Sequence, residues 1–161
     1  MTEKVQEKGI YWLKIKAYCD RAERCHQDVQ QKLMRWEVPH FLAQGWISEL
    51  ISENLLNEER FARAYVHDHV AFRQWGASKI KQGLRRKGIS KPLIDAVLRD
   101  LPKEDEEEQA LVAGKRKWKQ IGHKGVKNHQ RMKLMRHLYS KGFGMSILEK
   151  VIPLIVQETD E

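Results

Sequence analysis

The chain has 161 residues and a formal charge of +8, from 30 Lys and Arg against 22 Asp and Glu, with a pI near 9.5. Its partners are therefore sought among anions, either nucleic acid or an acidic protein groove. That length allows one domain or a few small modules, burying roughly 70% of the unfolded surface if compact and less if strung out. Cys19 and Cys25, six residues apart, fit neither a C-x-x-C redox pair nor a zinc half-site and read as reduced thiols. The segment 1–9 lacks the apolar core of a signal peptide, and Val151–Val156, the longest apolar run, is far too short to span a bilayer. A soluble, cytoplasmic protein is expected.

After a loose polar lead-in over 1–9, one pattern organises the rest of the chain. An apolar residue stands four places before a leucine and another five places after it: Val29-Leu33-Val38, Ile80-Leu84-Ile89 and Leu134-Leu138-Phe143. A paired apolar ladder follows each leucine, as Leu93-Ile94 with Val97-Leu98 and as Ile147-Leu148 with Val151-Ile152 at identical offsets. In the first copy the ladder is Trp46-Ile47 with Leu50-Ile51, displaced by four residues around Pro39 to Ala43. Helical spacing prevails throughout, and the leucines are 51 and then 54 residues apart, too far for ankyrin or tetratricopeptide units. One larger helical module used three times is predicted, which favours presentation of an extended surface over a pocket.

The middle copy is the most clearly punctuated. Asn57 is placed to cap a helix whose first turn carries Glu58 and Glu59 and whose apolar face is Phe61, Ala62, Tyr65, Val66 and Phe72. A second helix runs from about Ala77 to Gly88, closed by a left-handed glycine, and Ser90 caps a third that stops near Leu101-Pro102. The third copy repeats this plan over Glu104 to Gln120, Val126 to Lys141 and Gly144 onward. A loop is expected at Gly122 to Gly125, a kink or stop at Pro153, and fraying over Thr159–Glu161. Gly142 corresponds to Gly88, whereas the first copy has Glu37 there and must close its turn without glycine. Trp36, Trp75 and Trp118 fall near helix ends and are assigned to packing between modules.

Nucleotide-binding glycine loops, a zinc-protease helix and a serine elbow are all missing, so no catalytic residue, cofactor or metal site is assigned. His67 and His69 point to different faces of a helix, and His123, His129 and His137 lie among cations that oppose metal binding. Charge, by contrast, comes in blocks. No acid occurs between Asp68 and Asp95, where seven Lys and Arg stand, nor from Gln109 to Leu148, where ten basic residues lie between Lys115 and Lys141. A surface built only for solubility mixes signs; the long exclusion of acids favours a functional basic face. The acidic run Glu104–Glu108 is assigned to the start of a helix, where it offsets the backbone dipole.

The segment Leu55-Leu56-Asn57-Glu58-Glu59-Arg60-Phe61-Ala62-Arg63-Ala64-Tyr65, with Trp75-Gly76-Ala77-Ser78-Lys79-Ile80 and Leu84-Arg85-Arg86-Lys87-Gly88-Ile89, resembles the most recognisable region of the RecX regulatory family. Upstream, Arg21-Ala22-Glu23-Arg24-Cys25 and Asp28-Val29-x-x-Lys32-Leu33 resemble that family's first repeat, where serine or threonine commonly replaces Cys25. The resemblance covers about Lys16 to Val156 and is weakest in the third repeat. It implies an all-α protein of three tandem three-helix repeats, in an elongated, curved arrangement. It also implies a non-enzymatic regulator that binds the RecA filament and suppresses strand exchange, ATP hydrolysis and co-protease function.

On this reading the chain divides into the lead-in 1–9, repeats over 10–56 and 57–102, and a third repeat with a short tail over 103–161. Lys79, Lys81, Arg85, Arg86 and Lys87, then Lys133 and Arg136, are the candidate contacts with the RecA filament or DNA, chosen on charge and expected exposure. On a helical period Arg85 and Arg86 turn away from Ile80 and Leu84 more readily than Lys87 does. A monomer with no membrane contact is expected. The competing reading is an independent nucleic-acid-binding protein, because short helix pairs with a basic second helix also resemble helix-turn-helix elements.

Overall fold

The computed structural model describes residues 2–122 and 126–158. Within them lie nine helices and no strand: α1 (Thr2–Arg21), α2 (His26–Arg35), α3 (His40–Ser52), α4 (Glu58–Ala71), α5 (Ala77–Arg86), α6 (Lys91–Arg99), α7 (Lys103–Ile121), α8 (Lys127–Ser140) and α9 (Met145–Gln157). The main helix–helix contacts fall within the triplets α1–α3, α4–α6 and α7–α9, and each triplet has its own buried cluster. The chain exposes 10772 Å², against about 8,400 Å² for a compact monomer of this mass. That excess is what three small cores in a row, instead of one, would give.

Leu33, Leu84 and Leu138 occupy matching places, each fully buried in the second helix of its triplet. Each also closes the same turn. Its carbonyl accepts a hydrogen bond from the amide five residues on, at 3.1 Å from Val38, 3.1 Å from Ile89 and 3.3 Å from Phe143. The residue before that amide is left-handed: Gly88 has φ 74°, Gly142 φ 94° and Glu37 φ 56°. This is a Schellman closure made three times, and the apolar residue that follows seals it against the core. The first turn is thus closed by Glu37 adopting the glycine conformation itself. Glu37 is exposed, so Glu37→Gly should relieve the Cβ clash and raise stability by up to about 1 kcal/mol, read as an increase in the urea midpoint with an unchanged slope.

The displaced first ladder is not an insertion. Helices α3, α6 and α9 all begin seven residues after their leucine, at His40, Lys91 and Met145. Ala43 stands where Ile94 and Leu148 stand and is likewise buried. Small Ala43 leaves room that Trp46 and Ile47 fill from the next turn, so the apolar face slides along α3 and Ile51 is left 43% exposed.

Other expectations also change. Residues 2–9 continue α1 and are not a loose lead-in. Pro153 does not end α9, which runs on to Gln157 because Ile152, Ile155 and Val156 are buried on either side of the missing donor. Ser90 precedes α6 without a side-chain cap, whereas Asn57 caps α4 as expected, accepting from the Arg60 amide at 3.0 Å. Cys25 does the work of the usual hydroxyl: its sulfur accepts from Asp28 N–H while its own N–H donates to Asp28 Oδ2, both at 3.4 Å. Phe72 is 80% exposed, since α4 ends one residue earlier and the helical period with it. Trp36, Trp75 and Trp118 pack within their own triplets rather than between them. His123, most of the Gly122–Gly125 loop and the Thr159–Glu161 tail lie outside the described residues; Gly122 itself has φ 71°.

Candidate partner-binding surface

A surface that crosses modules needs modules held in register, and here the register comes from helix termini. The first amides of α5 have no side-chain cap, because residue 76 is glycine. The third triplet supplies their acceptors: Gly76 N–H donates to Lys141 O at 2.8 Å, Ala77 N–H to Glu106 Oε1 at 2.8 Å and Ser78 N–H to Gly142 O at 3.2 Å. The orphan donors of α5 thus meet the orphan carbonyls of α8, with the two helix dipoles in favourable sense. Only glycines admit this approach, since a Cβ on Gly76 would lie 2.4 Å from Gly142 O and one on Gly142 2.5 Å from Lys79 N and Cβ. Lys141 locks the joint by donating to Arg73 O at 2.8 Å.

The first joint has the same logic. His26 N–H, the first helical amide of α2, donates to Glu58 Oε1 of α4 at 3.3 Å, as Ala77 does to Glu106 of α7. With its amide turned to satisfy both groups, Gln27 donates to Arg86 O and Lys87 O at the end of α5. Two ion pairs flank the joint, Glu23 with Arg60 and Asp28 with Lys87, each at 2.8 Å. Cys25 completes it, buried in the middle triplet's core with its thiol pushed up to about 11, chiefly by burial. Burial would raise the Asp28 carboxyl too, but hydrogen bonds from Lys87 and Cys25 outweigh it and hold the group below its ordinary value. Arg60, from the most recognisable motif, also reaches Asn54 Oδ1 and O, clamping a residue with φ 58°. Its role is structural.

Against this frame the seven candidate contacts separate. Arg85 and Arg86 are exposed at the end of α5 and make no ion pair among the described residues. Lys87 is the strut to Asp28, which raises its pKa, and is withdrawn from the free surface. Lys81 lies 3.8 Å from Asp95, a carboxylate it shares with Lys91. Lys79 packs over the Trp75 ring at 4.5 Å. Burial lowers the pKa values of Lys141 and His137, and nearby cations lower them further: Lys79 and Arg116 at Lys141, and Lys117, Lys141 and Lys79 at His137. The cations of α5 therefore continue directly into those of α7 and α8. Lys133 and Arg136 are exposed beside Lys117, Gln120, Ile121 and His137, around an open groove of about 560 Å³ between α7 and α8.

Two features here were not read from the sequence. Phe61, Tyr65, His69 and Trp75 form a ring ladder, with centroids 5.9, 3.8 and 4.5 Å apart, that ends under Lys79. Spacing of four along α4 could have indicated its first three members. The second is Glu106, which caps a helix of the preceding module in addition to serving its own helix start. Among the described residues no His, Cys, Asp and Glu cluster is arranged to hold a metal, and no helix is long and apolar enough to cross a membrane.

Comparison with known proteins gives this frame a lineage. Residues 57–98 match the model of the RecX second three-helix domain and residues 104–152 that of its third, together more than half the chain. "Regulatory protein RecX" of Clostridium beijerinckii is 29% identical over 138 residues, covering 85% of this chain and 64% of that protein. The protein of the same name from Clostridium botulinum (strain Alaska E43 / Type E3) is 33% identical over 100 residues, covering 62% and 46%. The chain spans 55% of the length of the Bacillus cytotoxicus relative and 64% of the Clostridioides difficile one. A crystal structure of a regulatory protein RecX superposes with a TM-score of 0.83 at 21% identity, over 92% of this chain and 74% of the other. RecX from Lactobacillus salivarius superposes with a TM-score of 0.78 over 99% of each chain, also at 21% identity. Two consecutive domain models of one family, in their proper order on a backbone that follows its solved structures, place this chain in the RecX family.

Proposed function

We propose that the chain is a non-enzymatic regulator of RecA. It binds the RecA filament in the cytoplasm and lowers its recombinase, ATPase and co-protease activities by bridging neighbouring protomers. The observation that carries this reading is the continuity of positive charge from α5 across a backbone-to-backbone joint onto α7 and α8. A stack locked in that way presents its cations at fixed spacing, which suits a repeating acidic groove. Lys79, Lys81, Arg85, Arg86, Lys133 and Arg136 are the proposed contacts, with Arg85 and Arg86 the most available. A bridge across protomers would oppose the movements that accompany ATP turnover without any chemistry by this chain.

The test is Arg85→Glu with Arg86→Glu, which takes the formal charge from +8 to +4. Stability should change by no more than about 0.5 kcal/mol, because both side chains are exposed. Half-inhibition of RecA ATP hydrolysis on single-stranded DNA should need about tenfold more of the variant, since like charges would then face the groove. Undiminished inhibition by a normally folded variant removes this patch from the interface. An equal loss of affinity for bare DNA would favour direct nucleic-acid binding instead.

A further inference from the structure

A second basic surface lies on the first module, on helices that contribute nothing to the α5, α7 and α8 face. Lys14, Ala17, Tyr18 and Arg21 of α1, with Lys32 and Trp36 at the end of α2, line a groove of about 200 Å³. No acid lines it. The Trp36 ring stacks on Tyr11 with centroids 5.6 Å apart, and Lys32 Nζ lies 5.3 Å from both the Tyr18 and Trp36 rings. The Arg24 guanidinium sits 4.0 Å over Tyr18 and Lys14 Nζ 5.4 Å from Tyr11. Lys14 and Arg21 are exposed, and the half-buried Trp36 and Tyr18 line the groove between them.

We propose that this groove binds single-stranded nucleic acid, stacking a base on Trp36 and Tyr18 while Lys14, Arg21 and Lys32 neutralise the adjoining phosphates. An acidic peptide would use the cations and leave the rings idle. A splayed strand uses both, because every base offers a π-face and its phosphates follow at short spacing. The proposal goes beyond regulation of RecA and does not depend on it: the groove would let the chain hold a strand while α5, α7 and α8 face a protein.

The test uses the whole chain and no RecA. Fluorescence anisotropy compares a labelled oligothymidylate with an abasic deoxyribose-phosphate strand of equal length. The base-containing strand should bind about tenfold more tightly, the order expected from stacking of a single base. Lys14→Glu with Arg21→Glu should weaken oligothymidylate binding by about tenfold, with the thermal transition unmoved. Arg85→Glu with Arg86→Glu should weaken it less. Photocrosslinking of a 5-iodouracil strand should place adducts on Trp36, Tyr18 or Tyr11. Equal affinity for the abasic strand, indifference to the α1 substitutions, or adducts confined to α5 and α8 would each overturn the proposal. So would polyglutamate that competes as well as oligothymidylate, which would assign the groove to acidic peptides.

Discussion

Leu84→Ala should lower the stability of the chain by about 2–5 kcal/mol, the range for removing a fully buried leucine from a packed core. The spread reflects how far Ile80, Ile89, Ile94 and Val97 can collapse into the space, and α5 has little freedom to do so. Its first amides are held by the third module and its last carbonyls by Gln27 of the first. We therefore expect the upper part of that range, and loss of both joints together with the middle core, since neighbouring modules in a linear array stabilise one another through their interfaces. A denaturant titration followed by helical ellipticity reads this directly. A midpoint unmoved from that of the parent chain would mean that the anchor leucine is not what holds the middle module together.

Much of this fold is written in residues that act locally. The anchor leucines, the residues flanking them and the glycines at 88 and 142 specify a helix, its Schellman end and the start of the next helix within about a dozen positions. A pattern of that kind is legible without neighbours. The first module misleads for the same reason. Its ladder reads as shifted because periodicity registers large apolar residues, and Ala43, though buried, carries little of that signal. Glu37 illustrates a different limit: its left-handed φ of 56° follows from the turn it must close and not from its own preference.

The basic face was legible only as charge. Exclusion of acids from 69–94 and 109–148 marks which segments are positive, but not which cations are free, because pairing here is long-range. Lys87 meets Asp28 from 59 positions away, and the partner of Lys141 is a backbone carbonyl 68 positions away. The groove on the first module escaped for a related reason. Its rings and its cations are both divided between α1 and the end of α2, and the acid-free stretches there, 8–19 and 29–36, are far shorter than those that mark the basic face.

Gly142→Ala should be the most damaging glycine substitution, and its comparison with Gly88→Ala isolates the energy of the joint between modules. Both glycines close equivalent turns with positive φ, 94° and 74°, so both alanines incur the left-handed penalty of about 1–2 kcal/mol. At Gly88 the new Cβ meets only the Gln27 side chain, at 3.6 Å, an ordinary contact. At Gly142 it would lie 2.5 Å from the backbone nitrogen of Lys79 and 3.0 Å from Gly76 O. Backbone cannot rotate aside as a side chain does, so the joint must open, adding about 1–3 kcal/mol of overpacking to the same conformational cost. Gly142→Ala is therefore expected to destabilise by about 2–5 kcal/mol in all, and faster hydrogen exchange at the Gly76 and Ser78 amides should accompany it. Those two donors face Lys141 O and Gly142 O, so their protection reports the joint and not the cores. Equal losses for the two alanines, with Gly76 and Ser78 still protected, would show that the modules keep their register without close backbone contact, and would leave the basic face without the fixed spacing on which filament recognition is proposed to rest.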